Sequence, residues 1–323
     1  MLFKLRNTQN FMEELSAQTI IHICKRINGI GASTAGHIAS DFDGNLDEFI
    51  SSSSERLEKI TKSNGNTLLT QEQVNDILSF NNALPSGKSA IEVNVFLISV
   101  EFLEKQFVTL GEMNLDSLDI NPFIVKALDF TNSKQIIEFN CFQSITRSVV
   151  TSWGMTVEKI LKVSGAEDFK ENKFGSLQGN KPDITKVVDG VKHYIQVKSG
   201  PNTMNIGMVN SLNDVIEKIE NIEPESKTML GMTYGRKERV STQIQGTLIN
   251  YEENSLIGRE FWELIGQKQN YHKEILTILD EASKALTSES YIEQVYKKIE
   301  SITQEWNTRY SGKSIDEAME DYV

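Results

Sequence analysis

Long hydrophobic runs, cysteine, histidine and positive charge are all scarce in this chain, and each shortage removes a class of protein. No apolar run approaches the roughly 20 residues of a membrane-spanning helix. The opening Met1-Leu2-Phe3-Lys4-Leu5-Arg6 lacks the apolar stretch of a signal peptide, so a cytoplasmic protein without membrane contact is expected. The two cysteines, Cys24 and Cys141, lie far apart in apolar helical surroundings, and read as reduced core residues rather than a disulfide or a zinc site. The four histidines, His22, His37, His193 and His272, have no ligand-like spacing and read as structural. Lys and Arg number 33 against 45 Asp and Glu, a net charge of −12, which argues against indiscriminate binding to nucleic acid. It leaves room for basic residues gathered in one cleft, where the local field decides. What remains is an ordinary soluble composition, 39% hydrophobic and 24% charged over 323 residues, enough for one large domain and a smaller one.

The most informative stretch is Lys181-Pro182-Asp183-Ile184 followed by His193-Tyr194-Ile195-Gln196-Val197-Lys198-Ser199-Gly200. The interval predicts a β-hairpin: Asp183 to Val188 as one strand, Asp189-Gly190 as a two-residue turn, and Val191 to Val197 as the return strand. Pairing across that turn brings Asp183 and Lys198 to one end, with Gln196 on the same strand face as Lys198. A carboxylate there can bind a divalent metal while the lysine steadies an attacking water or developing negative charge. Asp, Lys and an Asp-Gly turn also recur in plain surface sheets.

Pro182-Asp183…Gln196-Val197-Lys198 resembles the PD-(D/E)xK nuclease signature, with Gln196 standing where its middle acid belongs. The resemblance implies a Mg²⁺ site built from Asp183, the Gln196 side-chain oxygen and the Val197 carbonyl, with Lys198 handling the water. Nucleases of this superfamily commonly carry a glutamate on the helix before the Asp strand, and Glu158, four residues after Gly154, occupies that position. Glu158 is thereby a candidate replacement for the missing charge; the alternative is a solvated helix carboxylate paired with a lysine. Asp214 and Glu217, on the helix after Lys198, are the competing acids.

Residues 1–28 predict a helix with Phe11, Leu15, Ile20, Ile23 and Ile27 on one face, and Gly29-Ile30-Gly31 leads into a second short helix. This resembles a helix-hairpin-helix motif, whose turn presents backbone N–H groups to a DNA phosphate without reading sequence. A degenerate second copy lies around Ser63-Asn64-Gly65-Asn66, ahead of a helix from Gln71 to Leu78. A glycine-turn helical hairpin used for packing or dimer contacts is the other reading. A polar linker with Pro85 and Gly87 spans 81–89, and helices are predicted over 91–110, 133–150 and from Trp153. Asn202 to Gly207 reads as a loop, Met208–Ile222 as a helix, and Lys227 to Tyr234 and Val240 to Ile249 as strands. Arg236, Lys237 and Arg239 then fall in a strand-to-strand loop, either reaching phosphates or guanine edges or forming a solvated tip. Helices and an acidic tail follow Gly258 and suit packing or dimerisation.

The likeness extends over about residues 120–270. Asn121-Pro122-Phe123, Gly154…Glu158-Lys159-Ile160-Leu161, Gln196-Val197-Lys198-Ser199-Gly200, Tyr234-Gly235 and Gly258-Arg259-Glu260-Phe261-Trp262 occur in an order similar to a branch of type II restriction endonucleases that cut GGNCC-type palindromes. It implies an α/β (α+β) restriction-endonuclease-like core, a central mixed sheet flanked by helices, over residues 90–323, and a small all-α DNA-contact domain over 1–80. It further implies a Mg²⁺-dependent site-specific endodeoxyribonuclease acting on double-stranded DNA as a homodimer, with a cognate DNA methyltransferase in the same cell. A structure-specific repair or junction nuclease of the same fold, or a catalytically dead DNA-binding protein, are the rival functions.

Overall fold

In the computed structural model, which describes residues 2–84, 87–171, 173–175, 177, 181–201 and 203–323, the chain opens as the helix its apolar spacing predicts. Pro85 of the predicted linker and Asn202 of the predicted loop lie outside the described residues. Helix α1 (Leu2–Lys25) buries Leu15, Ile20, Ile23 and Cys24. Gly29, at φ +76°, turns the chain into α2 (Ala32–Asp41). Then come α3 (Leu46–Ile50), α4 (Ser54–Glu58) and α5 (Gln71–Ala83). Helix α1 packs on α2 and α4 on α5, while α3 touches α1 and α5. A tight turn, Lys62 N–H to the Asn66 carbonyl at 2.7 Å with Gly65 at φ +81°, leads to the Thr70–Gln73 capping box that starts α5. Phe42 and Phe49, edge to face at 5.4 Å, are fully buried in this part.

The chain continues through α6 (Ala90–Glu112), α7 (Pro122–Ala127) and α8 (Ser133–Val163). Next come β1 (Glu167–Asp168), β2 (Ile184–Val188), β3 (Val191–Lys198), α9 (Ile206–Ile222) and β4 (Lys227–Met232). Helices α10 (Thr242–Thr247) and α11 (Tyr251–Asn254), β5 (Ser255–Ile257) and α12 (Arg259–Gly266) complete the sheet region. The last helices are α13 (Tyr271–Leu286), α14 (Tyr291–Arg309) and α15 (Ile315–Met319).

Among the described residues the strands form one sheet in the order β1-β2-β3-β4-β5, the first three antiparallel and the last three parallel. Helix α9 supplies the crossover between the parallel strands β3 and β4, as such strands require. Its Val209, Leu212 and Ile216 cover Leu230 and Met232, and its Val215 and Ile219 meet Tyr194 and Phe174. The run α8-β1-β2-β3-α9-β4 is the α-β-β-β-α-β order of the expected core, a mixed sheet flanked by helices.

The chain forms two compact units, Met1–Leu97 with Glu158–Glu281 and Ile98–Val157 with Ala282–Val323. The first holds the amino-terminal helices and the sheet. The second has its own core, in which Leu110, Ile136, Ile137, Val295, Ile299 and Trp306 meet. No helix of the described residues is long and apolar enough to cross a membrane. Both cysteines are buried and unpaired.

Four local expectations are corrected. The helices predicted at 133–150 and from Trp153 are one, because a lone glycine costs a helix only about 1 kcal/mol and Gly154 meets no obstacle. Val240 to Ile249 is not a strand: Val240, Ile244 and Leu248 are buried at four-residue spacing, a helical period, and the Ser241 side chain caps α10. Arg236, Lys237 and Arg239 therefore stand between a strand and a helix, around a 3₁₀ turn at Lys237–Arg239. The acidic tail is capped by Ser314 and folds as α15, after which Tyr322 stacks on Trp306.

Candidate active site

The Asp-Gly turn fixes the site's register. Asp189 and Gly190 both take positive φ, +50° and +86°, the geometry that matches the twist of the flanking strands. Ile184 then pairs with Ile195, which sets Asp183 across from Gln196. The Asp183 amide donates to the Ile195 carbonyl at 2.9 Å, holding the residue at the strand's edge. Its Oδ2 accepts the Gln196 Nε2–H at 2.6 Å and the Val197 N–H at 2.7 Å.

Five of the predicted site residues, Asp183, Gln196, Val197, Lys198 and Glu158, come together here. Burial raises the Asp183 carboxyl above its ordinary pKa, opposed by the Val197 N–H, the Lys198 charge and the Gln196 amide; the Glu158 charge raises it further. Glu158 and Lys198 are thus both within electrostatic reach of Asp183. Glu158 and Asp183 also share the wall of a cleft of about 320 Å³, with Lys162, Asp168, Glu171 and Lys181 around it. Asp168 is paired with Lys162 at 2.8 Å, and Glu171 with Lys181 at 2.8 Å and the Leu177 N–H at 2.5 Å. Glu158, by contrast, makes no ion pair among the described residues. Asp214 and Glu217 are exposed on α9, outside the cleft wall and outside the charges that act on Asp183.

A metal's fit can be judged from Gln196. With Nε2 committed to Asp183, its buried Oε1 has no hydrogen-bond partner, a state that costs about 1–3 kcal/mol and that a cation would relieve. Two carboxylates and an amide oxygen are hard donors, suited to a magnesium-class ion rather than to zinc. No group of three or more His, Cys, Asp or Glu arranged for a metal occurs among the described residues. His193 lies buried opposite Lys186, its Nδ1 3.1 Å from the Val191 carbonyl.

The other candidates lie elsewhere. Lys237 is engaged by Glu252 at 3.2 Å and by the Glu252 carbonyl at 2.6 Å, whereas Arg236 and Arg239 are exposed. Gly29, Ile30 and Gly31 line a shallow depression with Lys25 and Arg26. Gly31 is the N-cap of α2, and no side-chain cap hydrogen bond forms there among the described residues.

Sequence reasoning missed Lys186. It lies on β2 three residues after Asp183, is 6% exposed, and donates through Nζ to the Ser164 carbonyl at 2.6 Å. Ser164 follows the end of α8 and also bonds the Tyr271 hydroxyl at 2.6 Å, so the Asp183 strand grips the end of the Glu158 helix. The available signal was a lysine amid the apolar residues of a predicted strand.

Residues 91–287, which include the whole cleft, match the family model of the type II restriction endonuclease EcoO109I. No curated protein matches the chain.

Burial pushes the Lys186 ammonium down to about 8 from 10.5, so between those values the unfolded chain holds a proton that the folded chain has released. Stability contributed by Lys186 should therefore rise with pH across this window, by on the order of 3 kcal/mol. Denaturant unfolding at pH 7.5 and pH 10 should show wild type gaining on Lys186→Met, which has nothing to titrate there. Comparing the two proteins cancels alkaline losses from buried tyrosines and cysteines. A constant difference between them would contradict the assignment.

Proposed function

Because the chain belongs to the EcoO109I family of type II restriction endonucleases, we propose that it hydrolyses phosphodiesters of double-stranded DNA, with Mg²⁺, at a G/C-rich interrupted palindrome. The observation that carries this reading is the gathering of Asp183, Glu158, Lys198 and the orphan Gln196 oxygen. Asp183 and Glu158 would hold the metal, with Gln196 Oε1 and the Val197 carbonyl as neutral ligands. When bound, the ion supplies Lewis acidity at the scissile phosphate. Lys198 orients the attacking water, helps remove its proton and offsets charge building on the phosphoryl oxygens. The Gln196 and Val197 donors favour the ionised form of Asp183 and oppose the upward push of its burial.

The remaining assignments follow from the substrate. The Gly29-Ile30-Gly31 turn grips a phosphate within residues 1–80, and Arg236 and Arg239 face the duplex, with Lys237 beside them held by Glu252. Cutting both strands of a palindrome takes two active sites, hence a two-fold homodimer. A methyltransferase of matching specificity in the same cell protects the host DNA.

Incubation with Mg²⁺ and a long duplex tests the reading: discrete bands support it, cuts at irregular structures point to repair, and a shifted but intact duplex means binding alone. Asp183→Ala and Lys198→Ala should each abolish cleavage while leaving specific binding largely intact in gel shifts. Near-wild-type cutting by either would remove that residue from the mechanism.

If Glu158 compensates for Gln196, Glu158→Gln should lower cleavage by orders of magnitude and raise the Mg²⁺ concentration required. Asp214→Asn and Glu217→Gln should do neither. Normal cutting by Glu158→Gln at low Mg²⁺ would refute the compensation.

The hairpin turn has its own test. Gly31 has φ −83° and open space at its Cβ, so Gly31→Asp fits and caps α2. It should leave thermal stability equal or higher yet weaken binding by about 1–2 kcal/mol on cognate and non-cognate duplexes alike, by repelling the phosphate. A changed cleavage site would contradict a sequence-blind role.

A further inference from the structure

Strands β3, β4 and β5 run parallel, so the chain leaves all three at the same edge of the sheet, just past Lys198, Met232 and Ile257. There Tyr234 stays 59% exposed although its ring lies directly against Gly200. A Cβ on Gly200 would stand 2.3 Å from the ring's Cζ and 2.6 Å from Cε1, so only glycine there lets the ring keep this seat. The hydroxyl makes no hydrogen bond among the described residues, and most of the ring faces solvent.

The support under this ring is rigid. Thr233 donates its N–H to the Lys198 carbonyl at 3.1 Å and its hydroxyl to the Ser199 carbonyl at 2.8 Å. The Thr233 carbonyl accepts the indole N–H of Trp262 at 2.8 Å. Gly235, at φ +113°, meets Pro201, and Gly258, at φ +59°, approaches the Gly235 carbonyl; a side chain at either would collide. Three glycines held in one ordered place are expensive in conformational entropy. An exposed ring returns little of that through burial. Tyr234 is nonetheless fixed with respect to Lys198, two residues from Gly200, and Arg236 extends into solvent two residues beyond.

We infer that Tyr234 is a DNA-contact residue: its glycine-seated ring packs against the nucleotide adjoining the phosphate that Lys198 serves, setting the backbone for cleavage. This rests on the endonuclease reading and adds to it an uncharged contact. Aromatic stacking on the bases of single strands tolerates any base and is worth roughly 5- to 150-fold in affinity; against a duplex, whose bases are already stacked, the ring packs on the backbone sugar and the loss sits at the low end of that range.

The experiment uses the full-length protein, the duplex whose cleavage wild type defines, and Ca²⁺ in place of Mg²⁺ to measure binding without cutting. Tyr234→Ala should bind about 5-fold more weakly and cut more slowly in single turnover, while Tyr234→Phe behaves as wild type. The slope of log affinity against log salt should stay at the wild-type value for Tyr234→Ala and become shallower by about one for Arg236→Ala. Gly200→Ala, which displaces the ring but keeps the tyrosine, should reproduce the loss. Tyr234→Leu, which keeps apolar bulk over Gly200, guards against misfolding of the alanine variant; it should melt as wild type does and still bind weakly. Wild-type binding and cutting by Tyr234→Ala or Tyr234→Leu overturns the inference, as does a loss that comes with a changed salt slope. A wild-type protein that neither binds nor cuts duplex DNA would instead overturn the endonuclease reading itself.

Discussion

The antiparallel pairing of β2 with β3 is the constraint from which the cleft follows. Side chains alternate along a strand, so a slip of one residue would turn Gln196 and Lys198 to the opposite face and leave Asp183 without partners. The Asp189-Gly190 turn forbids that slip by allowing one loop length and one twist. The parallel pairing of β3 with β4 then places Thr233 beside Lys198. One hairpin register thus sets Asp183, Lys198 and the segment that bears Tyr234.

Charge is the second problem the site has to solve. A desolvated carboxylate tends to take up a proton, and burial raises the Asp183 carboxyl above its ordinary pKa. Two N–H donors and one ammonium favour its ionised form, while Glu158 works against it. Asp183 and Glu158 thus repel each other across the cleft whose wall they share. Lys186 matters here through position rather than charge, because it joins the Asp183 strand to the end of the helix carrying Glu158. Movement of one acid away from the other would have to break that buried bond.

Local signals made much of this legible in the sequence. The hairpin could be read because a two-residue Asp-Gly turn between alternating strands has one common geometry, and α1 because its apolar residues recur on one face. Glu158 was reachable only through resemblance, since nothing in its neighbourhood separates it from other helix acids. Val240 to Ile249 misled because branched residues suggest a strand, while the buried period of four belonged to a helix. β5 has three residues, too few to show any period. The second compact unit joins segments more than a hundred residues apart, and Lys186 becomes important only when it meets Ser164; both are facts of tertiary contact.

A chain of net charge −12 approaching a polyanion has repulsion to overcome at long range. Contacts that work at short range without net charge are the ones such a protein can afford to multiply. The uncapped amides at the start of α2 and the exposed ring of Tyr234 are both of that kind. Neither adds a counterion-releasing cation, so binding built on them depends less on salt than binding built on lysine and arginine. Lys237 fits the same pattern, since Glu252 already engages its ammonium and leaves Arg236 and Arg239 as the exposed cations of that segment. The amides and the ring would act on any sequence alike, so in such a protein they would supply affinity and leave the choice of sequence to other side chains.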